Sequence, residues 1–266
     1  MIARKECLNN IKRIVVKIGT TSITQESNAL NLNFIYSLAN QVNELKKKGV
    51  ETILVTSGAI GIGMQELGLT ERPRTTEMQQ ACAAIGQHLL MAEYGRAFKK
   101  YGLSIAQILL TYDALTEKKK LANLKQALLT LLEKQTIPII NENDVVAVDE
   151  IGPTFGDNDK LSALVAIHLD AQLLVMLTNT NGLFDKNPIE NKDAKLIEHV
   201  DKITKEIEDL ASGKSELGKG GMISKINAAK LVMEAGAKMV IANHSTQNVL
   251  LKIINAEEIG TLFCNK

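Results

Sequence analysis

Three stretches of the sequence hold the side chains whose types and spacing could do chemistry. The longest, "NENDVVAVDEIGPTFGDNDKLSA" (141–163), contains a single cation, Lys160, and six carboxylates: Glu142, Asp144, Asp149, Glu150, Asp157 and Asp159. Apolar segments border it on both sides, so some of these acids should lie against buried strands, where like charges repel and lose hydration. They therefore need cations, which could be lysine ammonium groups, a metal ion or a substrate cation.

The other two stretches could bind an anion. Lys17 lies in the apolar "IVVKIG", where an unpaired ammonium group is costly to bury, so we expect it to reach an anion at the strand end. The alternative is an edge-strand lysine that extends to water. "GKGGMISK" (218–225) places glycines before a predicted helix, where exposed N–H groups suit phosphate oxygens and Lys225 lies in the first turn. Its alternative is a flexible surface loop.

These features together favour phosphoryl transfer. That reaction depends on positioning and on neutralising the charge of the transferred group, and two lysines with nearby carboxylates could supply both. "TSGAIGIG" (56–63) adds a second glycine-rich stretch that we interpret as a loop. The sequence has no G-x-x-x-x-G-K-[ST] motif and no G-x-G-x-x-G after its first strand, which argues against a P-loop enzyme and a nicotinamide oxidoreductase.

Composition narrows the class of protein further. The 266 residues carry a net charge of +1 and only 3% aromatic side chains, which argues against nucleic-acid binding. No apolar run approaches the roughly 20 residues that span a bilayer, so we expect no membrane partner and a cytoplasmic location. The three cysteines are far apart in sequence, and we expect reduced thiols. The four histidines lack the spacing of metal ligands.

Apolar strands alternate with helices along the chain, which predicts an α/β fold with a mainly parallel sheet in one domain spanning 1–266. A hairpin is also predicted at 145–155. Several of the polar motifs follow strands directly, and open α/β sheets bind ligands at the carboxyl ends of their strands. The predicted strands are 11–19, 51–58, 103–111, 136–140, 171–178 and 237–242, and the predicted helices are 33–49, 75–100, 116–134, 158–170, 201–212, 221–235 and 246–255.

The order of these motifs resembles that of the glutamate 5-kinases in the amino acid kinase superfamily. The matching segments are "IVVKIGTTS", "VTSGAIGIG", "QACAAIGQ", "AQILLT", "IPIINENDVV", "FGDNDKLSALVA", "LLVMLTNTNGLF", "GKGGMISK" and "GTLF", which together reach from about Ile14 to Phe263. "NEND" followed by "GDND-x-LSA" is the most specific part of the resemblance. "KIG" and "GGM-x-x-K" are shared with relatives that act on other acceptors.

The resemblance implies a three-layer αβα sandwich with an acceptor-binding N-terminal part and an ATP-binding C-terminal part. It also implies phosphorylation of the γ-carboxylate of L-glutamate by ATP with Mg²⁺, the first step of proline biosynthesis. A homo-oligomer and a downstream γ-glutamyl phosphate reductase as partner are further expectations. Many bacterial members append an RNA-binding-like domain, and we expect the form without it.

The resemblance also assigns residues. Lys17 and Lys225 would stabilise the transferring phosphoryl group, Asp159 would orient them, and Asp157 would help to place the metal. The expected glutamate-binding residues are Ser57, Gly58, Asp144 and Asn158, with Asp144 suited to the α-ammonium group. The expected ATP-binding residues are Lys17, Gly19, Thr178, Asn179, Lys219, Gly220, Gly221, Met222, Ile223, Ser224 and Lys225.

The chain departs from the family pattern at two positions on the nucleotide side. Many members have Asp where this chain has Asn179, and Thr where it has Lys219. Two alternatives to a glutamate kinase stay open at this point. One is a sister kinase for N-acetylglutamate or another carboxylate, and the other is a regulatory module that binds an amino acid or nucleotide without turnover.

Overall fold

The computed structural model describes residues 4–25, 29–147, 158–211 and 221–265, which belong to two compact units. The continuous unit is Ile18–Asn158. The discontinuous unit combines Met1–Lys17 with Asp159–Lys266. The single domain expected over 1–266 stays a prediction, and each unit is described by itself.

The continuous unit is built on three parallel strands in the order β3-β4-β2. All six positions of β4 are buried, which is the pattern of a strand covered on both faces. The strands are β2 (Glu51–Val55), β3 (Ile105–Leu110) and β4 (Ile137–Glu142), and the helices are α2 (Thr20–Ile23), α3 (Leu32–Lys47), α4 (Ala59–Glu66), α5 (Thr76–Lys99), α6 (Asp113–Thr116) and α7 (Lys118–Glu133).

The discontinuous unit has five strands in the order β1-β5-β7-β8-β6. β5 and β7 are parallel, β8 is antiparallel to β7, and β6 is parallel to β8. The strands are β1 (Arg13–Ile18), whose last residue belongs to the other unit, β5 (Leu173–Thr178), β6 (His199–Val200), β7 (Lys238–Asn243) and β8 (Thr261–Phe263). The helices are α1 (Arg4–Cys7), α8 (Asn158–His168), whose first residue belongs to the other unit, α9 (Lys205–Ala211), α10 (Met222–Glu234) and α11 (Val249–Ile254).

The α/β fold with mainly parallel strands is confirmed, because each unit pairs most of its strands in parallel. The predicted strands and long helices all form, and α5 continues through Gly86 without interruption. The short elements α1, α2, α6, β6 and β8 were not predicted, since two to four residues are too few to show a periodicity. Most of the predicted 145–155 hairpin lies outside the described residues.

The interpretation of "TSGAIGIG" as a loop is wrong for most of its length, because Ala59–Glu66 form helix α4. Its glycines allow α4 to cross α5 at backbone distance. A Cβ on Gly63 would lie 1.9 Å from the carbonyl oxygen of Cys82, and one on Gly86 would lie 1.8 Å from that of Ala59. These two glycines therefore serve helix packing rather than phosphate binding.

The expectation of reduced thiols is wrong for two of the three cysteines. Cys7 in α1 and Cys264 after β8 form a disulfide, whereas Cys82 is a buried free thiol. The two cysteines are 257 residues apart in sequence, so their pairing could not be predicted from spacing; the fold brings α1 beside the last strand. Separately, none of the helices in the described ranges is both long and apolar enough to cross a membrane.

Candidate functional site

Lys17, Asp159 and Lys225 meet in the discontinuous unit and are named here the lysine triad. Lys17 comes from β1, Asp159 from the first turn of α8 and Lys225 from the first turn of α10. The Lys17 Nζ lies 2.5 Å from Asp159 Oδ1, and the Lys225 Nζ lies 3.0 Å from Oδ2. Asp159 is fully buried and both lysines are at least nine-tenths buried, so Lys17 is not an edge-strand lysine that extends to water.

The ionisation of Asp159 is set by a competition. Burial alone would raise the pKa of this carboxyl, but the ammonium groups of Lys17 and Lys225, with hydrogen bonds from Lys17 and Ser224, hold the pKa below its ordinary value. The carboxylate is therefore charged at neutral pH. Two cations and one anion leave the lysine triad with one net positive charge, which suits an incoming anion.

The start of α10 lies directly beside the lysine triad. Gly221 precedes the helix with extended backbone, Met222 and Ile223 form its first residues, and the Ser224 Oγ donates a 2.6 Å hydrogen bond to Asp159 Oδ2. Helix N-termini carry unpaired N–H groups and partial positive charge, both of which favour an anion. Lys219 and Gly220, the remaining expected residues of this loop, lie outside the described residues.

The predicted ATP-binding residues Thr178 and Asn179 lie at the carboxyl end of β5. Asn243, at the end of the neighbouring β7, donates its side-chain amide to the backbone oxygen of Asn179 at 3.4 Å and to Asn181 Oδ1 at 3.0 Å. Neither Asn243 nor Asn181 was predicted from the sequence. The ends of two parallel strands meet at one edge of a sheet, and the signal available for Asn243 was a polar residue directly after the apolar strand "AKMVIA".

Gly19 follows β1 and precedes α2, with its carbonyl oxygen accepting a 3.0 Å hydrogen bond from Ser22 N–H. It belongs to the continuous unit, whereas the other described residues predicted to bind ATP belong to the discontinuous unit.

In the continuous unit, three amide side chains form a second network, named here the amide relay. The Asn158 Nδ2 lies within hydrogen-bond distance of three acceptors, at 2.6 Å from Thr56 O, 2.8 Å from Ser57 Oγ and 3.0 Å from Asn141 Oδ1. The Asn141 Nδ2 in turn donates to Gln87 Oε1 at 2.9 Å. Gln87 and Asn141, which the sequence analysis missed, thus hold the two predicted residues Ser57 and Asn158 in place.

Backbone contacts fix the directions of the Asn141 and Asn158 amides, and Asn141 in turn fixes that of Gln87. Asn141 Oδ1 accepts the N–H of Glu142 at 2.9 Å, so Asn141 must donate to Gln87 through its nitrogen. Two buried atoms are then left without a partner among the described residues, the donor Gln87 Nε2 and the acceptor Asn158 Oδ1. Such atoms are costly in an empty site and favourable when a ligand pairs with them.

Gly58 and Asp144 complete the predicted acceptor residues. Gly58 has a positive φ of 96° and stands immediately before α4, a conformation that favours glycine. Asp144 lies two residues after β4 and is half-buried. Its burial raises its pKa to about 6, although Arg72 opposes the shift.

The described residues offer no carboxylate cage for Mg²⁺. The only group of three described His, Cys, Asp or Glu side chains whose ligand atoms converge is Cys7, His199 and Cys264, which contains no oxygen ligand. Both oxygens of Asp159 face ammonium groups. Asp157, the residue expected to help place the metal, lies outside the described residues.

Several glutamate 5-kinases are similar in sequence to this chain over nearly its full length. Glutamate 5-kinase from Methanosarcina barkeri is 48% identical over 271 residues, covering 99% of this chain and 71% of that protein. Glutamate 5-kinase from Oenococcus oeni is 46% identical, and the match covers 98% of each chain. Glutamate 5-kinase from Clostridium acetobutylicum is 44% identical, and the match covers 100% of this chain and 99% of that protein.

Solved structures with low sequence identity share the fold. Carbamate kinase from Giardia lamblia bound to AMP-PNP gives a TM-score of 0.68 at 16% identity, covering 97% of this chain and 99% of that one. UMP kinase from Ureaplasma parvum gives a TM-score of 0.65 at 17% sequence identity, and the match covers 96% of this chain and 100% of that one. The sequence profile of the amino acid kinase family matches residues 12–243. On this match and on the identities above, the chain belongs to the amino acid kinase family.

Proposed function

We propose that the protein transfers the γ-phosphoryl group of Mg·ATP to the γ-carboxylate of L-glutamate, giving ADP and γ-glutamyl phosphate, the first step of proline biosynthesis. Relatives named glutamate 5-kinase, 44–48% identical over nearly the full chain, support the choice of reaction. The observation in this structure that carries the proposal is the lysine triad.

The lysine triad provides what phosphoryl transfer requires. Charge builds on the phosphoryl oxygens during transfer, and ammonium groups fixed in advance stabilise it at no cost of reorganisation. Asp159 holds Lys17 and Lys225 in place by direct ion pairs. Both lysines are retained and ordered by a common anion, which favours a kinase over a regulatory module that only binds its ligand.

The amide relay and Asp144 are assigned to the amino acid. Gln87 Nε2 is an unpaired donor and Asn158 Oδ1 an unpaired acceptor among the described side chains, which matches a zwitterion that brings one carboxylate and one ammonium group. Asp144 supplies negative charge for the same ammonium group. The γ-carboxylate is ionised at neutral pH, so its oxygen attacks the γ-phosphorus, the bond to the β-phosphate oxygen breaks, and no general base is needed.

The other expectations follow from this reaction. Mg²⁺ enters with ATP as part of the substrate. The acyl phosphate product is labile, so a reductase that accepts it is the expected partner. Homo-oligomerisation and a cytoplasmic location also remain predictions.

The direct test incubates the protein with Mg·ATP, L-glutamate and hydroxylamine, which traps an acyl phosphate as a hydroxamate. We expect hydroxamate formation to depend on enzyme, glutamate and ATP, with ADP released in equal amount. The control is the Asp159→Asn variant, which should lose most of this activity. A folded wild-type protein that forms no hydroxamate above the no-enzyme level would refute the proposal.

A further inference from the structure

Cys7, His199 and Cys264 form a cluster that the proposed reaction does not use. The sulfur of each cysteine and a ring nitrogen of the histidine all lie within 4.8 Å of one another. Both cysteines are buried and His199 is half-buried. All three residues belong to the discontinuous unit, but none of them touches the lysine triad through any of the contacts described above.

The backbone holds the cluster in register before any ligand arrives. His199 opens β6 and Cys264 follows β8, and these strands pair in parallel with His199 opposite Leu262. The N–H of Cys264 donates to Val200 O at 3.1 Å, and the His199 Nε2 lies 3.3 Å from Cys264 O. Cys7 reaches the same point from α1, so three separate elements present their ligand atoms together.

We propose that Cys7, His199 and Cys264 form a binding site for a thiophilic divalent cation of the Zn²⁺ class in the reduced protein. Two thiolates and an imidazole are ligands that zinc prefers. Zn–S and Zn–N bonds of about 2.3 and 2.0–2.1 Å place tetrahedral ligand atoms roughly 3.5–3.8 Å apart. The three ligand atoms lie within 4.8 Å of one another, and reduction frees the two sulfurs to separate to these distances.

The disulfide and the metal exclude each other. Forming the site requires a dithiol or phosphine reductant that delivers two electrons, after which two protons complete the two thiols. Binding of M²⁺ then releases those two protons as both sulfurs become thiolate ligands. Three protein ligands leave a fourth position for water or a small thiol, as in zinc sites that stay open. Oxidation by disulfide exchange would expel the metal and restore the bond between Cys7 and Cys264.

The test uses the full chain, prepared anaerobically with a phosphine reductant and titrated with Zn²⁺ against a chromophoric chelator. We expect one equivalent to bind the reduced protein and none to bind the oxidised protein. Cys7→Ser and Cys264→Ser should weaken binding at least about 100-fold, and His199→Asn at least about tenfold, since even outer-sphere changes cost 10–100-fold. Co²⁺ in place of Zn²⁺ should give a thiolate-to-metal charge-transfer band that the cysteine variants lack.

Matched controls separate this site from adventitious binding. Cys82→Ala removes a buried thiol outside the cluster, and His88→Asn changes an exposed histidine on α5. Both should bind one equivalent like the wild type. The proposal is overturned if reduced wild type binds no more tightly than Cys7→Ser, or if His199→Asn leaves the affinity unchanged. The oxidised wild type has the same sequence and fold, so the result does not depend on whether a variant folds.

Discussion

Asp159 lies between two lysine ammonium groups in the discontinuous unit, whereas Gln87, Asn141 and Asn158 are joined only by neutral amide hydrogen bonds in the continuous unit. Both networks are largely buried, but the free-energy cost of removing one partner differs between them. Removing one partner of a buried ion pair leaves an uncompensated charge, while removing a neutral partner leaves an unpaired dipole. Each network also suits its proposed ligand, because a phosphoryl group brings charge and an amino acid brings matched donors and acceptors.

The largest effect should come from breaking the charged network. Asp159→Asn leaves two buried ammonium groups without their shared carboxylate, and we expect the free energy of unfolding to fall by about 3–5 kcal/mol. Denaturant unfolding measures this. The control is Asp193→Asn. Asp193 forms an exposed ion pair with Lys186 at 2.5 Å, and removing this pair should lower the free energy of unfolding by no more than about 1 kcal/mol. Equal losses in the two variants would contradict the assignment.

The second effect concerns the chemical step. Lys17→Met or Lys225→Met should lower kcat by about 10²–10³, the usual loss for one preorganised electrostatic donor, with a smaller rise in KM. Lys230→Met is the matched control, because Lys230 lies on the same helix as Lys225 but forms a surface pair with Glu208 at 3.1 Å. Either triad variant retaining more than about a third of the wild-type kcat would show that its lysine is structural.

The third effect tests acceptor choice. We expect glutamate to exceed N-acetylglutamate in kcat/KM by at least about thirtyfold, because acetylation removes the cation that Asp144 meets, and losing one partner of a desolvated charge pair costs about 2–5 kcal/mol. Asp144→Asn should raise the KM for glutamate and leave that for ATP nearly unchanged. Equal use of the two acceptors, or a KM effect confined to ATP, would point to a sister kinase or a different site.

The fourth effect separates the two functions of Gln87. Gln87→Met removes the acceptor of the Asn141 amide and also the donor assigned to the substrate carboxylate; a hydrogen bond to a charged group contributes about 1.5–3 kcal/mol, so the KM for glutamate should rise at least about tenfold. Gln87→Glu keeps that acceptor but replaces the unpaired donor with a carboxylate oxygen that repels the substrate carboxylate, so it should raise the KM for glutamate more than Gln87→Met does. Gln126→Met makes the same change at an exposed helical position and should leave the KM for glutamate unchanged. If Gln87→Met also leaves it unchanged, the amide relay does not position the acceptor.

The smallest effect is a difference in pH response between Asp144 and Asp159. The pKa of Asp144 is about 6, raised by burial, while that of Asp159 lies below its ordinary value. A raised pKa stabilises the folded protein most below the ordinary value of 3.8, and this contribution is lost as the pH rises through about 6. Glutamate requires the ionised form, so kcat/KM should fall about fourfold between pH 7.5 and 5.5 in wild type. The profile of Asp144→Asn should be flat over that range.

The sequence predicted the charged network better than the neutral one. A lysine within an apolar strand is conspicuous because burying it alone is unfavourable, and the carboxylate at Asp159 stood in an unusually acidic stretch. Gln87 ends the segment "QACAAIGQ", but its residue type and spacing alone do not distinguish it from a solvent-facing helical glutamine. Its role depends on the packing of α5 against α4, which sequence periodicity does not reveal.

The same reason explains the errors in the fold. The main strands were predictable from continuous apolar runs, whereas α4 was taken for a loop because glycine lowers helix propensity. The Cys7–Cys264 pairing was invisible because contacts between distant segments follow from topology alone.

The crossing at Gly63 and Gly86 limits how this enzyme could be re-engineered. Ser57 lies two residues before Ala59, whose carbonyl oxygen a Cβ on Gly86 would contact, and Gln87 directly follows Gly86 in α5. A library aimed at a new acceptor could vary Asp144, whereas positions 63 and 86 accept only glycine. Selection experiments should therefore return glycine at both positions whatever substrate is used, and a design that moves α4 would also have to change the part of α5 that packs against it.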